Sequence, residues 1–291
     1  MIPAPKDQVI PSGENLFKAL LLMGLIAASF WLANGLLQAA SPAKWLAIAA
    51  LGIVNVVLLT GIGVLAHDAV HRALFRSAFW NEAWGGLLSA LTLIPFQANR
   101  QFHLTHHAYA HQPGLDPENA MHDRPFALAL VLGANLGLKE QYRLVLANFR
   151  RGDPKSAWRA AQDTFFIAGA AALYFVAVPA LGLSVWATVV PTIIAFPPLF
   201  AFRALSDHYG LPPVQRGSQE EVTGWVVLTS RWLEWLWSHV NYHEVHHKYP
   251  YLSHRYLPQV YAATRNQYPY RVVDGYWRSL FELRKRSYYG A

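Results

Sequence analysis

The 291-residue chain contains no cysteine. That excludes disulfides, a zinc ribbon, a thiolate nucleophile and any iron–sulfur cluster held by this chain, a Rieske centre included. It says little about compartment. Charge is scarce as well. Asp, Glu, Lys and Arg make up 14% of residues, where a soluble domain has about 25%. No Gly-rich phosphate loop, dinucleotide fingerprint or cytochrome b5-like segment occurs in the chain. Tandem repeats and low-complexity tracts are missing too.

What fills the chain instead is apolar. Hydrophobic residues make up 54%, with 11 Trp, 14 Tyr and 15 Phe, aromatics suited to membrane–water interfaces. A membrane helix needs about 20 mostly apolar residues. Residues 16–40, 45–66, 165–183 and 185–205 meet that need and form two hairpins, broken at Ser41-Pro42 and at residues 182–184. The first span is too long for a signal peptide and a second follows at once, so it is read as an anchor. Lys44 is the only Lys or Arg at either hairpin break. The positive-inside rule then puts both termini and the central region in the cytoplasm. The net charge of +7 fits a face against anionic lipid, not nucleic acid.

Three histidine clusters stand out: HDAVH at 67–71, HLTHH at 103–107 and HEVHH at 243–247. Residues three and four apart share a helix face. His67 thus projects with His71, His103 with His106 and His107, and His243 with His246 and His247. Eight imidazoles exceed the four ligands of a structural zinc, so a two-metal site is expected. It would lie at the cytoplasmic mouth of the bundle, with no histidine inside a span.

Between the hairpins, residues 83–96 are expected to form an interfacial helix and 126–149 a second interfacial or cap helix. Residues 110–119, with Pro113, Gly114 and Pro117, read as a loop, and so does 211–221. Residues 225–247 read as helix. The layout suggests one domain over 1–291: an all-α integral membrane protein, four transmembrane helices in two hairpins with a helical cytoplasmic cap.

The order HDxxH, HxxHH, two spans, HxxHH resembles the integral-membrane fatty acid desaturase superfamily, with its acyl desaturases, hydroxylases and carotenoid ketolases. The likeness runs from the second span to Pro258. It extends to HAYAHQPGLDPEN at 107–119 and NYHEVHHKYPYLSHRYLP at 241–258. The resemblance implies a non-haem di-iron centre. Its ligands would be His67, His71, His103, His106, His107, His243, His246 and His247, joined by His208 in RALSDHYG. A water-bound Asn that some members place one turn before that residue is Ala204 here, and Asn241 is a substitute. Imidazole ligands and open coordination positions suit iron that meets dioxygen (O2).

Ligating imidazoles need their second nitrogen held. Asp68, Asp116, Asp207 and Glu244 are candidates, each otherwise a surface carboxylate. His111 follows the second box at a recurring family position. His239 and His254 flank the third box and serve the site or the surface. His122 reads as a surface residue. Trp232, Trp235 and Trp237 line a lipid entry or act as packing and anchors.

The expected substrate is a membrane lipid, desaturated or hydroxylated on its acyl chain. A carotenoid hydroxylase or ketolase is the alternative. A His-rich metal transporter is a distant one, since it would need ligands within its spans. Electrons would come from a separate ferredoxin, rubredoxin or cytochrome with its NAD(P)H reductase. The expected location is the bacterial inner membrane, active site inward.

Overall fold

In the computed structural model, residues 8–213 and 222–286 are described. Helices α1 (Ser12–Leu36) and α2 (Lys44–Val70) form the first hairpin. Then come α3 (Ala78–Leu91), α4 (Phe96–Tyr109), the one-turn α5 (Asn119–His122) and α6 (Phe126–Arg150). The second hairpin is α7 (Pro154–Ala180) and α8 (Val189–His208). Among the described residues four helices, α1, α2, α7 and α8, are long and apolar enough to cross a membrane.

Helix α2 has 27 residues, about 40 Å at 1.5 Å per residue, against a hydrocarbon core of about 30 Å. Its last turns therefore outrun the apolar stretch, carrying His67 within the helix and His71 at its end. His208 likewise closes α8. His67 lies inside α2 and His208 is the last residue of α8, both past the expected ends of their spans, while His71 caps α2 just after Val70. Helix α7 begins at Pro154, eleven residues before the apolar run, with Asp153 Oδ1 accepting from Ser156 N at 2.9 Å. Hydropathy misses this start because Lys155, Arg159, Gln162 and Asp163 are polar. A π turn at Leu173–Ala177 precedes Pro179, whose ring removes one backbone donor. Gly182, at φ 75°, makes the left-handed turn into α8.

Helix α2 lies at the centre of the bundle. Leu22 from α1, Ile62 and Leu65 from α2, and Leu88 from α3 are fully buried in one cluster. Large apolar side chains point outward: Trp31, Leu46, Phe165 and Ile194 are exposed, as expected of helices solvated by lipid. Helix α6 exposes Leu128, Val131, Leu132, Leu146 and Phe149, consistent with the interfacial reading. Buried Lys18 of α1 ties the bundle to the C-terminal part, giving hydrogen bonds to Trp235 O and, at 2.7 Å, to Ser238 Oγ.

Two sequence expectations fail. Residues 83–96 are not one helix. The chain leaves α3 at Leu91, turns through Leu93 at φ 59°, and restarts at Phe96. Pro95 disfavours helix at Ile94 and supplies no N–H. The restart creates α4, the helix of the second histidine box. Asp163 of α7 caps it, accepting from Gln97 N at 2.7 Å and Ala98 N at 3.0 Å. Residues 225–247 are not one helix either. Val226–Leu228 pairs in parallel with Val272–Asp274. A short helix follows at Arg231–Leu236, then left-handed Ser238 (φ 47°) and His239 (φ 54°), then a helix at His243–Lys248. Most of the expected loop 211–221 lies outside the described residues.

Candidate metal centre

The three boxes and His208 meet at one place. The end of α2 supplies His67 and His71, α4 supplies His103, His106 and His107, and His243–Lys248 supplies His243, His246 and His247. One group contains His67, His71, His103, His107 and His246. In it, Nε2 of His103 lies 2.9 Å from that of His67, 3.0 Å from that of His71 and 2.9 Å from that of His107. His107 and His246 meet at 3.1 Å. A second group contains His106, His208 and His247. His243 joins it, its Nε2 2.8 Å from that of His208 and 3.1 Å from that of His247. His106 and His247 meet at 3.3 Å. The groups adjoin where the rings of His107 and His247 stack at 4.2 Å.

Three of the outer nitrogens have partners of their own. His106 Nδ1 faces Asp116 Oδ2 at 2.9 Å, and His103 Nδ1 faces Glu118 Oε1 at 3.2 Å. His208 Nδ1 donates to the Thr223 carbonyl at 3.0 Å. With Nδ1 donating, Nε2 is a bare lone pair aimed at other Nε2 atoms. Such lone pairs repel unless a cation lies between them. Metal–nitrogen bonds of about 2.1 Å give polyhedron edges of about 3.0–3.4 Å, which matches the observed separations. Burial, reinforced by the charge neighbouring histidines would carry, holds His71, His106, His107, His243, His246 and His247 well below the usual imidazole range. Burial pulls His103 down to about 3. Neutral imidazole is the form that binds metal, so the donor set fits two metal ions.

The other candidates fall into place around this ring. Asp116 also accepts from His111 N at 2.7 Å and Glu118 N at 2.8 Å, folding the DPE loop under α4. Asp207 pairs with Arg203 and lies 3.6 Å from His243 Nδ1, outside hydrogen-bond reach. Asp68 holds His254, Nδ1 to Oδ2 at 2.6 Å, and lies 4.0 Å from His67 Nδ1. Asn241 Nδ2 donates to Val227 O at 3.0 Å and Glu234 Oε1 at 3.2 Å, fixing the turn before the third box. His239 is half-buried, its ring 6.2 Å from that of His254.

Among the described residues the Glu244 carboxylate hydrogen-bonds to no histidine. It accepts from Thr223 N at 2.8 Å, Thr223 Oγ1 at 2.9 Å, Gly224 N at 2.5 Å and Tyr268 O–H at 2.6 Å. It thereby fixes the carbonyl that holds His208. Glu118 and Thr223 are the partners that sequence reasoning missed. Glu118 sits two residues past Asp116 in the same motif, whereas Thr223 acts through its backbone and leaves no sequence signal.

His122 is not a surface residue. It is 8% exposed, its ring 5.4 Å from His111 and 6.1 Å from His208. Trp237 is packing, its Nε1 donating to Val57 O at 3.0 Å, while Trp232 and Trp235 are exposed.

Comparison with known proteins agrees with this arrangement. A relative from Arthrospira platensis, named sn-1 oleoyl-lipid 12-desaturase, is 24% identical over 260 residues, covering 81% of this chain and 74% of its own. The profile of the fatty acid desaturase family matches residues 42–278, a stretch holding all nine converging histidines and three of the four long apolar helices, α2, α7 and α8. With its four apolar helices and its histidine ring, the chain belongs to the fatty acid desaturase family and is an oxidoreductase of the membrane.

Proposed function

We propose that this chain is a non-haem di-iron desaturase that uses dioxygen and externally supplied electrons to remove two hydrogens from the acyl chain of a membrane lipid. One observation carries the reading: nine imidazoles converge Nε2-first in two adjoining groups. In this reading His67, His71, His103, His107 and His246 hold one iron, and His106, His208, His243 and His247 hold the other. When bound and reduced, the irons supply dioxygen activation and attack on an unactivated C–H bond. The chain's own part is positioning. Asp116, Glu118 and the Thr223 carbonyl fix imidazole tautomer and direction, and burial keeps bulk water from the reacting carbon. A lipid substrate is supported by the apolar helices around the site and by the acyl lipid in the relative's name. We place both termini and the histidine end on the cytoplasmic side, from Lys44 standing alone at the hairpin breaks.

The test is lipid and carotenoid mass spectrometry of a host expressing the chain with a matching reductase and carrier. The expected product is an acyl chain two mass units lighter. Hydroxylated acyl chains would replace desaturation with hydroxylation, and oxidised carotenoids with unchanged acyl chains would overturn the acyl assignment.

Glu244 gives a finer test. Glu244→Ala strands the Thr223 and Gly224 donors and frees the carbonyl behind His208. Turnover and iron retention should fall about 10–100-fold. Glu244→Gln keeps one acceptor for those donors and should restore most of both.

A further inference from the structure

A smaller cluster lies beside the nine histidines. His111, Asp116 and His122 are all buried, and one donor atom from each lies within 4.8 Å of the other two. His111 gives Nε2–H to the Thr223 carbonyl at 2.9 Å, which leaves its Nδ1 a bare lone pair. Its backbone sits at φ 61°, a strained conformation for a side-chain-bearing residue that the surroundings must hold in place. The His122 Nε2 is buried and has no hydrogen-bond partner among the described residues. A nitrogen stranded this way is costly unless something binds it. Asp116 spends Oδ2 on His106 and on His111 N, and Oδ1 on Glu118 N alone. An ionised carboxylate has about four acceptor sites, so Oδ1 keeps room for a ligand.

We propose that His111, Asp116 and His122 bind a third divalent cation, of the zinc type, next to the iron pair. Two imidazoles and one carboxylate are a zinc donor set that leaves a fourth position for water. At nitrogen and oxygen ligands zinc binds more tightly than ferrous iron. The cation would clamp the 110–122 segment to the end of α8, since the ring of His208 lies 5.2 Å from His111 and 6.1 Å from His122. It would also steady Asp116, the partner of His106. The role is structural and involves no electron transfer. Asp116 and the Thr223 carbonyl are shared with the iron surroundings, but none of the three donors is a proposed iron ligand, so the site does not depend on the iron reading.

The experiment is elemental analysis of the purified full chain, supplied with iron and zinc and dialysed against a weak chelator. Wild type should keep one zinc per chain beside its iron. His122→Ala and His122→Asn should both lose the zinc while the iron count stays unchanged. Zinc K-edge absorption should show nitrogen and oxygen neighbours only. Iron without retained zinc in wild type would overturn the proposal, as would zinc retained in both variants. One zinc without iron would support this site and defeat the di-iron reading, so the two failures are distinct.

Discussion

Replacing His106 or His246 with alanine should cut product formation at least about a thousandfold, roughly 4 kcal/mol of lost transition-state stabilisation. The two residues sit in different groups and both are buried. His106 is held from behind by Asp116 at 2.9 Å, and His246 meets His107 Nε2 at 3.1 Å. In the proposed centre each loss opens one position in a different coordination sphere. Alanine offers no replacement donor, and His103 and His208, held by Glu118 and the Thr223 carbonyl, are not free to swing into the gap. The bundle itself should survive, because its helices fold on packing away from the site, around Leu22, Ile62, Leu65 and Leu88. Both variants should therefore remain in the membrane fraction with lowered iron. Full activity in both would remove these residues from the site.

The second large effect concerns electrons. The 291-residue chain, purified and given dioxygen with NADH or NADPH, should show no sustained turnover. It has no cysteine for an iron–sulfur cluster and no dinucleotide fingerprint. Adding a reductase and a one-electron carrier should start product formation from a background of essentially zero. An acidic carrier has a basic surface to meet: Arg143, Arg150, Arg151 and Lys155 are all exposed where α6 runs into α7. Attraction between exposed charges is screened over about 8–10 Å at physiological salt. The carrier concentration for half-maximal rate should therefore rise with ionic strength. Steady turnover without a carrier would contradict the need for a separate electron donor.

Much of the site was legible because its pieces are local. Two histidines four apart on a helix share a face whatever the rest of the chain does, and long apolar runs mark spans by composition alone. The parts that were not legible depend on distant partners. Val226 and Val227 leave the helical pattern because Val272 and Val273, 46 residues later, offer a parallel strand. His122 looks like a polar residue in a loop, yet α5 packs under α6 and buries it beside His208. Asp68 stands next to a ligand candidate in sequence but spends its carboxylate on His254, 186 residues away. Asp163, in an apolar helix, has its reason in the N-terminus of α4 that it caps. Adjacent carboxylates are thus poor guides to which imidazole is held. Asp116 and Glu118 hold theirs because the Pro-Gly loop folds back under the helix that carries the box.

The most direct measurement is metal content with Mössbauer spectroscopy on protein purified after growth on iron-57. The expected result is about two irons per chain, in a high-spin, nitrogen-rich, coupled pair, with the signal lost in parallel with activity when the iron is chelated. Zinc in the place of the irons with full activity, or a single isolated iron per active chain, would contradict it.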